Sequence, residues 1–290
     1  MVKVSSTHKT IPTMTEAEVD LVPPRNMADG TPPRVRVRTG DTVHRTSYAW
    51  SPAVLDLLQH VEREGFGGAP RALGFDDQGR EVLAFIDGEV ARGTEFIPDE
   101  GGRFDLLLPD FVWRDEVLVH LGALLRSYHD AAATFPWAGR SWCYEAREPV
   151  ETICHNEVFP SNTVFRNGVP VALIDWDTAA PGPRAWDLGW VAWRWVPFCR
   201  DEKSLAIGLP SGVADKARRF RLLLDAYGIA RDLSIVHAGI DRARQMLEHQ
   251  LEFAARGSAW EVELAHRGLF DEAELEIAWV EEHAVALVES

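Results

Sequence analysis

The sequence predicts an α+β fold in which a small sheet-bearing lobe is followed by a larger, mainly helical one. Three observations carry that expectation. Apolar and charged residues alternate about a Gly-Asp pair near residue 40. A strong hairpin signal, Arg166-Asn167-Gly168, sits in the middle of the chain. Beyond residue 184 nearly every apolar run repeats at helical period.

Residues 1–33 mix Thr, Pro, Ser and charges without a period and are expected to form a loose leader. RVRVRTGDTVHRTS then alternates, with Val35 and Val37 on one face and the arginines on the other. Gly40-Asp41 suits a tight turn, so a β-hairpin is expected. SPAVLDLLQHVEREG has a serine to cap a helix, a proline for its first turn and Gly65 to end it. Val54, Leu57, Leu58 and Val61 form a stripe at i, i+3, i+4, i+7. RALGF and EVLAFI follow as strands joined by the turn DDQGR. Residues 34–87 therefore make a small sheet lobe. A connector rich in Gly, Pro and acid spans 88–110, and the helical lobe spans 111–290. In that lobe the first helix places Val117, Leu121, Leu124, Leu125 and Tyr128 on one face. Four later stretches, beginning at residues 185, 213, 234 and 271, read as helices.

Composition narrows the function. With 46% hydrophobic residues and eleven tryptophans the chain can bury a substantial core. A formal net charge of −15 argues against a nucleic-acid partner and permits a cationic ligand. Cys143, Cys154 and Cys199 are too few and too scattered for a disulfide framework or a zinc site. No apolar run reaches membrane length and the first residues lack a secretory pattern, so no membrane partner and a cytoplasmic location are expected.

The chemistry gathers in CHNEVFPSNTVFRNGVPVALIDWD. The kinase catalytic loop has the frame His-x-x-x-x-x-x-Asn, and His155 to Asn162 fills the same eight positions. Asp175 follows Asn162 after thirteen residues, at the far end of the expected hairpin. Glu157, Asn162 and Asp175 brought together would make a hard-oxygen site suited to Mg²⁺, which bridges the phosphates of a nucleotide. The first carboxylate would take the proton of an attacking hydroxyl.

Together with VALIDWDTAAPGPRAWDLGW and GFGGAPRALGFDDQGREVLAFIDGE, this stretch resembles the aminoglycoside phosphotransferase and choline-kinase-like family over roughly residues 34–200. The resemblance implies a bilobal protein-kinase-like fold that transfers the γ-phosphate of ATP, with Mg²⁺, to a hydroxyl. It implies Asn162 and Asp175 as metal ligands, Glu157 as the base, His155 as a brace for the loop and Asp187 as support from below. The connector Phe85-Ile86-Asp87 would meet the adenine through backbone groups.

Two positions depart from the family pattern. Its proton acceptor is Asp, whereas Glu157 stands here on a stem one methylene longer. Its phosphate-gripping Lys is missing, since no lysine occurs between Lys9 and Lys203, and Arg45 is the expected substitute; the sequence does not assign its acidic partner, for which Glu62 and Glu64 are candidates. Nor is there a glycine-rich phosphate loop: Gly65-Phe66-Gly67-Gly68 follows a helix and is expected only to end it.

Two features bear on the acceptor. The last thirty residues carry nine acids against the single Arg267, which would suit a polycationic acceptor or form a solvated helix face. Trp186, Trp190, Trp193 and Trp195 form either an aromatic wall for a sugar or quaternary amine, or core. The expected acceptor is a hydroxyl of an amino sugar or related metabolite, or of a peptide or natural-product intermediate. The alternative is a pseudokinase that keeps the fold as a binding or scaffolding module.

Overall fold

A computed structural model describes residues 35–91, 96–98, 104–106, 108–209 and 211–290. The expected leader, and much of the expected connector, lie outside the described residues. The chain forms two compact units. Residues 35–48 and 72–85 belong to the first, and residues 49–71 together with the described residues from 86 onward belong to the second.

The first unit is a four-stranded antiparallel sheet, built from β1 (Arg36–Thr39), β2 (Thr42–Arg45), β3 (Ala72–Phe75) and β4 (Glu81–Ala84) in the order β1-β2-β4-β3. Thr39 pairs with Thr42, so Gly40-Asp41 makes a two-residue turn. Gly40 has φ +59°, a conformation glycine adopts without steric penalty. The DDQGR turn is fixed by its first side chain: Asp76 Oδ1 accepts from the backbone N–H of Gln78 (3.0 Å) and of Arg80 (2.9 Å).

The second unit opens with α1 (Ser51–Arg63). Its stripe Val54, Leu57, Leu58 and Val61 is almost completely buried, worth roughly 1.5–3 kcal/mol per side chain. The expected serine cap is displaced by one residue. Trp50 occupies the cap position and its carbonyl accepts the N–H groups of Ala53 and Val54, while Ser51 is a buried first-turn residue. Gly65, at φ +88°, ends the helix as expected. This helix, placed by the sequence between the strand pairs of the small lobe, packs within the second unit.

After β5 (Glu89–Val90) come the paired strands β6 (Phe96–Pro98) and β7 (Phe104–Leu106), and then α2 (Asp115–Ala132). Val117, Leu121, Leu125 and Tyr128 of α2 are buried as expected. Leu118 completes the face at i, i+3, i+7, i+10, and Leu124 is only half-buried because it sits at the margin of that row. Next come β8 (Thr152–Cys154), β9 (Thr163–Arg166), β10 (Val169–Leu173) and β11 (Ala180–Gly182). β9 and β10 form the hairpin expected from Asn167-Gly168, with both turn residues at positive φ, and β5 adds to its edge. β11 pairs with β8.

The helices α3 (Arg184–Trp195), α4 (Asp201–Ala206), α5 (Val213–Tyr227), α6 (Leu233–Ala255), α7 (Ala259–His266) and α8 (Leu269–Glu289) complete the chain. α3 and α6 meet backbone to backbone at Gly189 and Gly239. A Cβ on Gly189 would fall 2.4 Å from the amide nitrogen of Gly239 and 2.5 Å from the carbonyl oxygen of Ile235. Only glycine permits so close an approach. Among the described residues, no helix is long and apolar enough to cross a membrane, and all three cysteines are free.

Candidate active site

The loop His155–Asn162 leaves β8 and enters β9 through a 3₁₀ turn at Pro160–Asn162. Its polypeptide is held from several sides. The backbone N–H groups of His155 and Asn156 both donate to the Asp187 carboxylate, at 2.6 and 2.8 Å. Asn156 sits at φ +68°, a left-handed conformation that asparagine tolerates better than most residues, and its amide donates to the Thr178 carbonyl at 2.7 Å. The Trp195 indole, at the last residue of α3, donates to the carbonyl of Val158 at 2.8 Å.

His155 is fully buried and its ring packs against Trp176, with centroids 4.4 Å apart. Its Nε2 lies 3.1 Å from the Ile174 carbonyl, and its Nδ1 accepts the Glu157 N–H at 3.3 Å. That pair of partners fits a neutral ring with the proton on Nε2. Burial pushes the imidazole below its ordinary value, against the opposing pull of the Asp187 and Asp175 charges.

The hairpin brings the expected residues together. The Ile174 N–H donates to the Asn162 carbonyl at 2.9 Å, so Ile174 lies opposite Asn162 at the hairpin mouth and Asp175 is the next residue along the chain. Asn162 Nδ2 donates to the Glu157 carbonyl at 3.1 Å, which ties the amide to the loop and leaves Oδ1 as its acceptor atom. Asp175 has φ +70° and ψ +60°, and a single 3₁₀ turn, Trp176–Thr178, follows it. Glu157, Asn162 and Asp175 are all partly exposed. Among the described residues, no cluster of three or more His, Cys, Asp or Glu side chains is placed to hold a metal by itself. One carboxylate and one amide oxygen nevertheless match the way Mg²⁺ is held, since that ion takes few protein ligands and fills its shell with phosphate oxygens and water.

Asp187, in the first turn of α3, is the hub beneath the loop. Besides the two loop N–H groups it accepts from His129 Nε2 at 3.1 Å, and His129 Nδ1 lies 2.8 Å from the Tyr227 hydroxyl. Burial alone would raise the Asp187 carboxyl. The hydrogen bond and charge of His129, and the contacts of His155, outweigh burial and hold it below the usual carboxylate range.

In the first unit, Arg45 is buried, and its acidic partner is Glu81, directly opposite it on β4. Nε and Nη2 of Arg45 donate to Oε2 of Glu81 at 3.0 and 2.5 Å. Glu62 instead pairs with Arg71 at 3.0 Å, and Glu64 is exposed at the helix end. Glu81 is the Cα-register neighbour of Arg45 on the adjacent strand. Of the connector, the Phe85 N–H already donates to the Asp41 carbonyl (2.8 Å), and the Asp87 carbonyl accepts from Arg166 (3.0 Å).

A cleft of about 500 Å³ borders the loop at Asn156. Tyr144, Arg147, Trp186, Arg242 and His249 line it, and none of the nine acids of the last thirty residues does. Several of those acids are matched elsewhere: Glu272 and Glu276 by Arg200, Glu281 by Arg244, and Glu263 by Arg267. The tryptophans divide by role. Trp186 lines the cleft, Trp195 braces the loop, and Trp190 is buried and stacked against the half-buried Trp193, with centroids 6.5 Å apart. No motif or period marks Arg242, on α6, or Tyr144 in the sequence. Asn156 had one, since Asn is enriched at positive φ.

Residues 146–208, which span the loop, the hairpin and Asp187, match a family described as the phosphotransferase enzyme family. A trifolitoxin immunity protein of Rhizobium leguminosarum bv. trifolii is 34% identical over 229 residues, covering 73% of this chain and 79% of that protein. A crystal structure of a choline/ethanolamine kinase family protein from Mesorhizobium loti superposes with a TM-score of 0.56 at 15% identity, over 89% of this chain and 90% of the other. A candidate aminoglycoside phosphotransferase from Ralstonia eutropha gives 0.52 at 13% identity, over 86% and 89%. The two structures establish likeness of fold.

Proposed function

Because the chain belongs to the phosphotransferase enzyme family, we propose that it transfers the γ-phosphoryl group of ATP to a hydroxyl of a small molecule. The observation that carries this reading is the junction at the hairpin mouth, where hydrogen bonds tie Asn162 to Glu157 and to Ile174, the residue before Asp175.

The acceptor oxygen would bond to the γ-phosphorus as the bond from phosphorus to the β–γ bridging oxygen breaks. ADP leaves, and the hydroxyl proton passes to the Glu157 carboxylate. Asn162 Oδ1 and the Asp175 carboxylate would hold Mg²⁺, which when bound offsets phosphate charge. His155 and Asp187 fix the backbone from which Glu157 projects. Arg45, oriented by Glu81, is proposed to hold phosphate, and backbone groups at 85–87 to meet the adenine.

Calorimetric titration with ATP, with and without Mg²⁺, tests the reading together with an acceptor screen. Magnesium-dependent binding is expected, and Asp175→Asn should remove the metal dependence. Glu157→Gln should lower transfer by roughly 10²–10⁴-fold at nearly unchanged ATP affinity. No binding at millimolar ATP would sink the proposal.

A second reading rests on the relative named as a trifolitoxin immunity protein. On it, the chain protects a cell against a toxin, either by modifying the toxin or by binding it. Protection that survives Glu157→Gln would assign the chain to binding alone.

A further inference from the structure

The cleft beside the loop carries charge that the protein does not neutralise. Arg242 is 3% exposed, and its Nε is buried without a hydrogen-bond partner. Its other nitrogens reach only neutral acceptors: Gln245 Oε1 at 3.1 Å, and the Asn156 carbonyl at the limit of hydrogen-bond distance, 3.5 Å. Its guanidinium lies 5.5–5.9 Å from the ring centroids of Trp190, Tyr144 and Trp186. Arg194 of α3 lies close by. It stacks over Trp190 and Phe159, touches Met246 Sδ, and also has a buried, unpartnered Nε. Burial and the charge of Arg242 push Arg194 down to about 10. Among the described residues, neither arginine forms an ion pair with a carboxylate. At the rim, Arg147 stacks 3.6 Å over the Trp186 ring. Against one lining carboxylate, the exposed Glu145, the cleft sets Arg147 and Arg242.

A buried cation without a counter-charge is costly, and aromatic faces compensate for only part of that cost. In a chain of net charge −15, this concentration of arginine is a local reversal of sign. Its position is also specific: Asn156 lines the cleft and is bonded to Glu157, and the Glu157 charge is felt by the Tyr144 hydroxyl. A ligand anchored at Arg242 therefore lies beside the proposed base. A polycationic acceptor would meet the uncompensated Arg242 guanidinium and Arg147 there, whereas an anion would supply what Arg242 lacks.

We infer that the acceptor is a hydroxy acid, a small molecule whose carboxylate is held by Arg242, with Arg147 at the rim, while its hydroxyl faces Glu157. The inference rests on the phosphoryl-transfer reading and names the acceptor class for it. Trp186 and Tyr144 add an apolar wall, so an acid with an aromatic or aliphatic body fits better than a highly hydrated sugar acid.

Matched probes test it on the full chain. Calorimetry would compare 3-hydroxybutyrate with 3-hydroxybutyramide, and mandelate with mandelamide, beside kanamycin as a polycation. Each acid is expected to bind roughly tenfold or more tighter than its amide. Arg242→Met should abolish that preference while leaving Mg²⁺-ATP affinity unchanged. If Arg242→Met fails to fold, Arg147→Gln, at an exposed site, should still reduce the preference.

Equal affinity within both pairs, tighter binding of kanamycin, or no binding of either acid at millimolar concentration would overturn the inference. Acid preference is measured without nucleotide and ATP binding without acid. A failure of the acceptor class is thus distinguishable from a failure of the kinase reading.

Discussion

Asp187 and Arg242 are buried charges that reach the same piece of backbone, His155-Asn156, from α3 and α6, and their surroundings are opposite. Asp187 accepts from two backbone N–H groups and from His129. Arg242 has an empty Nε, a glutamine and a distant carbonyl. The support of the loop is complete within the protein, whereas the cleft is left electrically open. A carboxylate that organises backbone has to be satisfied before any ligand arrives. A cation that recognises a ligand is most useful if its partner comes from outside.

The largest effect should come from breaking the finished side. Asp187→Asn keeps the shape but removes the charge and turns one acceptor into an N–H that faces other N–H groups. About 3 kcal/mol of unfolding free energy should be lost in urea, since hydrogen bonds to charged groups each contribute about 1.5–3 kcal/mol. Transfer should fall with it as Glu157 loses its fixed backbone. A loss below ~1 kcal/mol would show that Trp195 and Thr178 hold the loop without Asp187.

These two sides differed in how visible they were in the sequence. Glu157, Asn162, Asp175 and Asp187 lie in one stretch with fixed spacing, and the Asn-Gly turn that brings them together is a local signal. Arg242 lies fifty-five residues beyond Asp187, in a helix where an arginine is ordinarily a solvated residue, and the close approach of α3 and α6 at Gly189 and Gly239 places that helix against the loop's support. No period or motif marks such a residue, because its meaning depends on two helices approaching at backbone distance. The buried Arg45–Glu81 pair was missed for a related reason. Its partner is set by strand register between β2 and β4, which intervening α1 hides from any reading along the chain. The helix stripes, in contrast, were legible because burial repeats at 3.6 residues whatever the partner.

A smaller effect is expected on the open side. Arg242→Met replaces a charge that lacks a carboxylate with an apolar side chain of similar length. Swaps of this kind at buried charges are often neutral or stabilising. Urea unfolding without ligand should give a change within about 1 kcal/mol of zero, against the larger loss at Asp187. A destabilisation as large as that of Asp187→Asn would mean that Arg242 is as structural as Asp187, and the contrast between the two regions would vanish.

Acidification separates the two regions with the smallest perturbation. His155 is buried neutral, with its folded value below the ~6.5 of an unfolded histidine. As pH falls through ~6.5, the unfolded chain takes up a proton that the native ring refuses, so stability falls on acidification across the window from ~6.5 down to the folded value. Asp187, also depressed, contributes stability that is present above ~4 and lost only as pH drops through its lower folded value. Other depressed carboxylates, such as Asp115 and Asp130, add to the acid limb, so the contribution of the loop support is read from the difference between the parent and a loop variant. His155→Gln should flatten the upper window and leave the lower one in place. An unchanged upper slope in that variant would mean the loop tolerates a protonated His155, and the Ile174 and Glu157 contacts would no longer define its tautomer.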